Sequence, residues 1–176
     1  PTDAGSYAVV ATINDPNYEG TASGDLVISK ATASVVLGAL AQTYDGSATT
    51  ASATTTPEGL AVDLIYNGSA DAPVNAGTYT VAATINDPNY EGSANGDLVI
   101  GKALASMTLG DLSQTYDGGA KTASVATTPE GLVVDVTYAG SADAPVNAGT
   151  YAVAAAINDP NYEGTASGDL VISKAT

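Results

Sequence analysis

Cysteine, histidine, arginine, phenylalanine and tryptophan are all absent from this 176-residue chain, and methionine occurs once. Each absence closes off a class of function. Without cysteine there is no disulfide staple and no thiol nucleophile. Without histidine no side chain has an ordinary pKa suited to proton transfer near neutrality. Without arginine there is no planar fork to clamp an anion. Four lysines stand against 19 acidic residues, for a formal charge of −15. Phosphate backbones and anionic lipid surfaces are both bound through clustered cations, so neither nucleic acid nor a membrane surface is an expected partner. The longest nearly apolar run, Ala33–Ala41, is far too short to span a bilayer. The chain opens at Pro1 rather than at a methionine and is read as a piece of something longer.

What is present points to strands. Apolar residues make up 44% of the chain, with ten tyrosines as its only aromatics. A core built from Val, Ile, Leu and Tyr is thin, and these types, with Thr, fit a pleated surface. Repeats then settle the organisation. The string AG(S/T)Y ends at Tyr7, Tyr79 and Tyr151, INDPNYEG begins at Ile13, Ile85 and Ile157, and GDLVI begins at Gly24, Gly96 and Gly168, always 72 residues apart. Two full repeats, 31–102 and 103–174, follow residues 1–30, which match the last part of a preceding repeat. The full repeats align without gaps and differ at 18 of 72 positions. A period of this length suits a string of small domains rather than a solenoid.

Within a repeat, period-two alternation predicts the facing of each strand. Leu60, Val62, Leu64 and Tyr66 form one inward set, Tyr79, Val81, Ala83 and Ile85 another, and Leu98 and Ile100 a third. The two copies support this. Outward positions change polarity (Val36 to Thr108, Ile65 to Thr137, Thr80 to Ala152, Thr84 to Ala156), whereas inward ones change only apolar size (Val35 to Met107, Ala53 to Val125, Leu64 to Val136). Turn residues separate the strands, as in Asp45-Gly46, Pro57-Glu58-Gly59, Asn67-Gly68 and Asn86-Asp87-Pro88-Asn89. No stretch has helical spacing with caps. The fold expected is all-β: tandem small antiparallel β-sandwich domains, immunoglobulin-like, with a β-grasp-like arrangement as the alternative. Asn-Ala-Gly-Thr-Tyr-Thr-Val is similar to the tyrosine corner of immunoglobulin-like domains, with Val81 or Val153 where a disulfide-forming cysteine often sits.

The succession QTYDG, TPEGL, YNGSADAPVNAGTY, INDPNYEG and GDLVI resembles the MBG and YDG domains of bacterial cell-surface and haemagglutinin-like secreted proteins. The resemblance covers essentially the whole chain. It implies tandem arrays in long exported proteins and an extracellular or cell-surface role, and it carries no catalytic or ligand residues with it.

Several residue groups carry candidate chemistry. Calcium takes six to eight oxygens from carboxylates, amides and carbonyls, and the acidic turns cluster such groups: Asp87, Asn89 and Glu91 with Asp97, and Asp159, Asn161 and Glu163 with Asp169, with a further copy around Asp15. The same Asn-Asp-Pro-Asn string is also a good turn in its own right. A carboxylate-only hydrolase needs two acids flanking a cleft, but the acids here sit in turns or at outward positions such as Asp63 and Asp135, so no enzymatic activity is expected. QTYDG (Gln42–Gly46, Gln114–Gly118) reads either as a binding loop or as a tyrosine packed over the sandwich end, the second being favoured. Lys30, Lys102 and Lys174 close each repeat, as partners for an internal isopeptide bond or as charged guards against edge pairing. Asn67-Gly68-Ser69 is a glycosylation sequon in one repeat only.

The short connection Gly101–Ser106 restricts the angle between neighbours, so an extended, fairly stiff array is expected. The functional reading is a structural segment of the stalk of a bacterial surface adhesin or secreted matrix protein, its partners being neighbouring repeats. The alternatives are a ligand-binding adhesin module and a self-assembling filament in which residues 1–30 complete a sandwich in another copy.

Overall fold

The computed structural model describes all 176 residues, Pro1–Thr176, and every regular element in it is a strand. Residues 1–30 form one hairpin of β1 (Gly5–Thr12) and β2 (Thr21–Ile28). The first full repeat carries β3 (Ala31–Thr32), β4 (Ser34–Gly38), β5 (Ala41–Thr43), β6 (Ser52–Thr56), β7 (Val62–Tyr66), β8 (Gly77–Ile85), β9 (Tyr90–Glu91) and β10 (Ser93–Gly101). The second carries β11 (Ala103–Leu104), β12 (Ser106–Gly110), β13 (Ser113–Thr115), β14 (Ser124–Thr128), β15 (Val134–Tyr138), β16 (Gly149–Ile157), β17 (Tyr162–Glu163) and β18 (Thr165–Ser173). The chain divides into two compact units, one of Pro1–Ala41, Ala48–Pro73 and Thr78–Val99, the other of Gln42–Ser47, Val74–Gly77 and Ile100–Thr176. The division does not fall at a repeat boundary: two tips of the first full repeat belong with the second.

The second repeat lies wholly in the second unit and shows the architecture. Its main sheet runs β13-β18-β16-β15, with β16 antiparallel to both β15 and β18. β12 and β14 form a separate antiparallel pair. Leu109 of β12 packs on the core of Tyr138, Val153, Leu170 and Ile172, so the pair covers the inner face of the sheet. The first full repeat has the same sheet order, β5-β10-β8-β7, and the same pair, β4-β6.

Strand facing follows the alternation in the sequence. In β16 Val153 and Ala155 are buried while their neighbours are exposed, and in β18 Leu170 and Ile172 are buried on either side of exposed Val171. Val36, predicted outward, is 63% exposed. Tyr138 is buried whole, and its hydroxyl accepts the Ala123 N–H at 2.9 Å. That bond satisfies the polar end of an otherwise apolar core residue. The tyrosine corner is formed: Tyr151 Oη donates to the carbonyl oxygen of Asn147 at 3.0 Å, and Val153 stands in the core beyond it.

The structure departs from a purely antiparallel sandwich at two places. β13 joins the main sheet parallel to β18, and β11 runs parallel to β17. Both pairings are two or three residues long, too short for alternation to announce them. No helix covers the sheet, which sets aside the grasp-like alternative.

Candidate functional site

The acidic turn INDPNYEG builds the most elaborate polar structure in the molecule, and it does so at the entrance to each full repeat. In the second unit the Asp159 carboxylate turns back on its own loop, accepting the N–H groups of Asn161 (2.8 Å) and Tyr162 (3.0 Å). This is the local capping that makes Asx residues good turn formers. The carbonyl oxygen of Asp159, freed from the loop, accepts Lys102 Nζ at 2.6 Å. Past the turn, β17 receives the entry linker as a parallel strand: Ala103 N–H donates to the carbonyl of Asn161 and Ala105 N–H to that of Glu163, both at 2.9 Å. The linker passes so close that a Cβ on Gly164 would fall on the carbonyl oxygen of Ala105. The glycine that ends the motif is required by this approach.

The same turn also reaches back. Asn161 Oδ1 accepts the N–H of Ala76 at 2.8 Å, and its Nδ2 donates to Asn75 Oδ1 at 3.2 Å. Tyr162 meets Tyr44 edge to face, with ring centroids 5.3 Å apart and planes at 83°, an arrangement favoured by the ring quadrupoles. Tyr44 belongs to QTYDG and Asn75-Ala76 to the NAG turn, both from the first full repeat. One eight-residue string therefore holds the linker into its own repeat and the tips of the repeat before it.

The first unit builds the same device one period earlier. Asp87 caps Asn89 and Tyr90, Lys30 Nζ donates to the Asp87 carbonyl at 2.6 Å, and the linker residues Ala31 and Ala33 bond to the carbonyls of Asn89 and Glu91. Asn89 Oδ1 accepts the N–H of Ala4 at 2.7 Å and its Nδ2 donates to Asp3. In the β1–β2 hairpin the third copy of the turn keeps internal bonds, from Asn17 N–H to the Asp15 carboxylate and from Ile13 N–H to the carbonyl of Gly20.

These contacts account for most of the residues singled out as calcium ligands. Asp87 and Asp159 spend a carboxylate oxygen on their own turns, and Asn89 and Asn161 spend their amides on the junction. Glu91 and Glu163 lend main-chain carbonyls to the linker while their side chains are exposed. Asp97 and Asp169 lie exposed on β10 and β18. Nowhere do three acidic side chains gather closely enough to hold a metal ion. Lys30 and Lys102 are exposed and aim Nζ at main-chain carbonyls, so neither is placed to attack a side-chain carboxyl or amide in an isopeptide bond. Asn67 is engaged in its turn, its Oδ1 accepting both N–H and Oγ1 of Thr80.

Sequence reasoning missed the role of Asn161 and the Tyr44–Tyr162 pair, both of which join residues more than 80 apart. Their signal was the recurrence of QTYDG and NAG in both full repeats and of INDPNYEG in all three copies.

Fold and junction together define a tandem array of small all-β domains whose joints are written into the repeat. The family profile described as the MBG domain matches three times, over residues 1–32, 33–104 and 105–176. The chain belongs to the MBG domain family. No curated protein matches it.

Proposed function

We propose that this chain is a structural spacer, a segment of the extended stalk of a bacterial surface adhesin or secreted matrix protein. The matched family suggests a repeated domain of surface-type proteins, and a chain without His, Cys or Arg supports a role that needs no catalysis or cofactor. The observation that carries the reading is the Asn161 side chain, hydrogen-bonded at both ends to Asn75-Ala76 of the preceding repeat. A stalk needs joints that resist bending, and a joint made of short hydrogen bonds and an edge-to-face ring pair loses that resistance when its central amide is removed.

Small-angle scattering of the intact chain tests this. The expected particle is extended, and Asn89→Ala with Asn161→Ala shifts the distance distribution toward shorter, broader values. A compact particle, or an unchanged profile in the double variant, counts against the spacer role. The calcium reading is separable: a melting temperature that does not move with chelator removes it.

A further inference from the structure

The small sheet of the second repeat is narrower than the large sheet it covers. It holds only β12 and β14, so β14 pairs on one side and presents its other edge. Four consecutive residues of that strand, Val125–Thr128, line an open groove of about 460 Å³. A strand face shows alternate residues only, so an unbroken run of four identifies the edge itself. Across the groove stand Val134 and Val136 of β15, which face inward yet stay half-buried, although Tyr138 on the same face is buried. Glu130, exposed in the turn after β14, is the one charged residue of the lining. Sheet edges are usually blunted by charged residues, proline or a bulge. β14 contains no charged residue, and its first proline, Pro129, comes after the strand has ended. The first full repeat opens a groove at the same place, along Ala53–Thr56 with Glu58 and Leu60, so the feature belongs to the fold; no residue of β7 lines that copy.

We propose that this groove binds an extended, basic segment of a partner protein by strand addition to β14. The partner strand pairs with the free edge of Ser124–Thr128, lays an apolar side chain over Val134 and Val136, and brings a lysine or arginine to Glu130. Main-chain pairing supplies affinity in such strand addition, and the side chains that enter the groove supply selectivity. Charge decides which kind of strand is accepted. At a formal charge of −15, another copy of this chain is repelled, whereas a cationic segment is drawn to the whole surface and then held at Glu130. This binding role goes beyond the spacer role and does not depend on it.

The test adds a short synthetic peptide of alternating lysine and valine to the intact chain, with an alternating glutamate and valine peptide as its control. The lysine peptide is expected to give saturable NMR shifts and slowed amide exchange in Ser124–Thr128. The effect in Ala53–Thr56 should be smaller, because no β7 side chain lines that groove. The glutamate peptide should give neither. Glu130→Lys should weaken the lysine peptide about fivefold, the scale of losing an exposed ion pair and gaining a repulsion. Asp169→Lys makes the same charge change on the outer face of β18 and should alter binding by less than about twofold, since salt screens charges that are not in contact. Both residues are exposed, so both variants keep the parent melting transition. The proposal is overturned if Ser124–Thr128 show no saturable response, if the glutamate peptide binds as well, or if Glu130→Lys binds no worse than Asp169→Lys. It is also overturned if the same amides shift with protein concentration alone, which would make a second copy the occupant.

Discussion

Residues 1–30 and 145–174 differ at five positions (Thr2, Asp3, Ser6, Val10 and Thr12 against Val146, Asn147, Thr150, Ala154 and Ala156), none of them facing inward. Both fold as a long antiparallel hairpin in the same register, Tyr7 opposite Leu26 and Tyr151 opposite Leu170. Yet one lies open and the other forms the centre of a core. Local sequence makes the hairpin, through alternation and turn chemistry. Burial comes from elsewhere in the chain, from Leu109, Leu112, Val136 and Tyr138. The comparison separates what a strand pair needs in order to form from what it needs in order to be stable.

The largest expected effect exploits this directly. Leu170→Ala should cost about 3 kcal/mol in chemical denaturation, because the truncated side chain leaves a cavity in a packed core. Leu26→Ala, the same change in the open hairpin, should cost less than about 0.5 kcal/mol. Equal losses at the two sites would mean that the hairpin is packed in solution. Next comes the linker. Gly164→Ala places a methyl against the Ala105 carbonyl and should cost about 2 kcal/mol. At Gly20 the added Cβ meets only the flexible end of Ile13, at 3.0 Å, so Gly20→Ala should lie within about 0.5 kcal/mol of the parent. A matching loss there would show that the glycine serves the turn rather than the approach of a neighbouring strand.

A converse case keeps the backbone and changes the residue. Asn67 and Ala139 both stand at φ 48° after β7 and β15. Asparagine tolerates the left-handed region better than alanine. Ala139→Asn should therefore raise the melting temperature, by about 1 kcal/mol of stability or somewhat less. A lower melting temperature would place the strain elsewhere.

The smallest effect is electrostatic. Lys121, which has Thr49 as its counterpart, donates to Asp117 at 2.5 Å, and with the Gly119 N–H it holds that carboxyl below the ordinary aspartate range. A depressed folded-state value contributes stability that is present above the ordinary aspartate pKa and fades as pH falls through the lowered one. Asp117 is exposed, so the gain is slight. NMR titration should show Asp117 moving upward in Lys121→Thr; no movement would mean that the backbone N–H alone sets it.

Strand facing was legible from sequence because its period is local and because the two copies vary by rule. Val36 can become Thr108 on the outside, whereas Leu98 and Leu170 stay the same inside. The acidic turns were legible only as turns. Their clustered oxygens suggested calcium; in the structure one oxygen of Asp159 also bonds its own loop and Asn161 bonds Asn75-Ala76. Which of these competing uses an oxygen serves depends on who stands beside it, and spacing along the chain does not say. The same holds for Lys102, whose carbonyl partner lies 57 residues away.

Sequence by itself determined the all-β class, the 72-residue period, the inward and outward faces and the places where the chain turns. Each follows from side-chain alternation, φ preference or recurrence, all properties of neighbours along the chain. Only the tertiary structure decided that β11 and β13 join parallel, that one turn serves two repeats, and which distant residues close the core over the β16–β18 hairpin. Those outcomes depend on contacts between residues far apart in sequence, whose free energy no local pattern records.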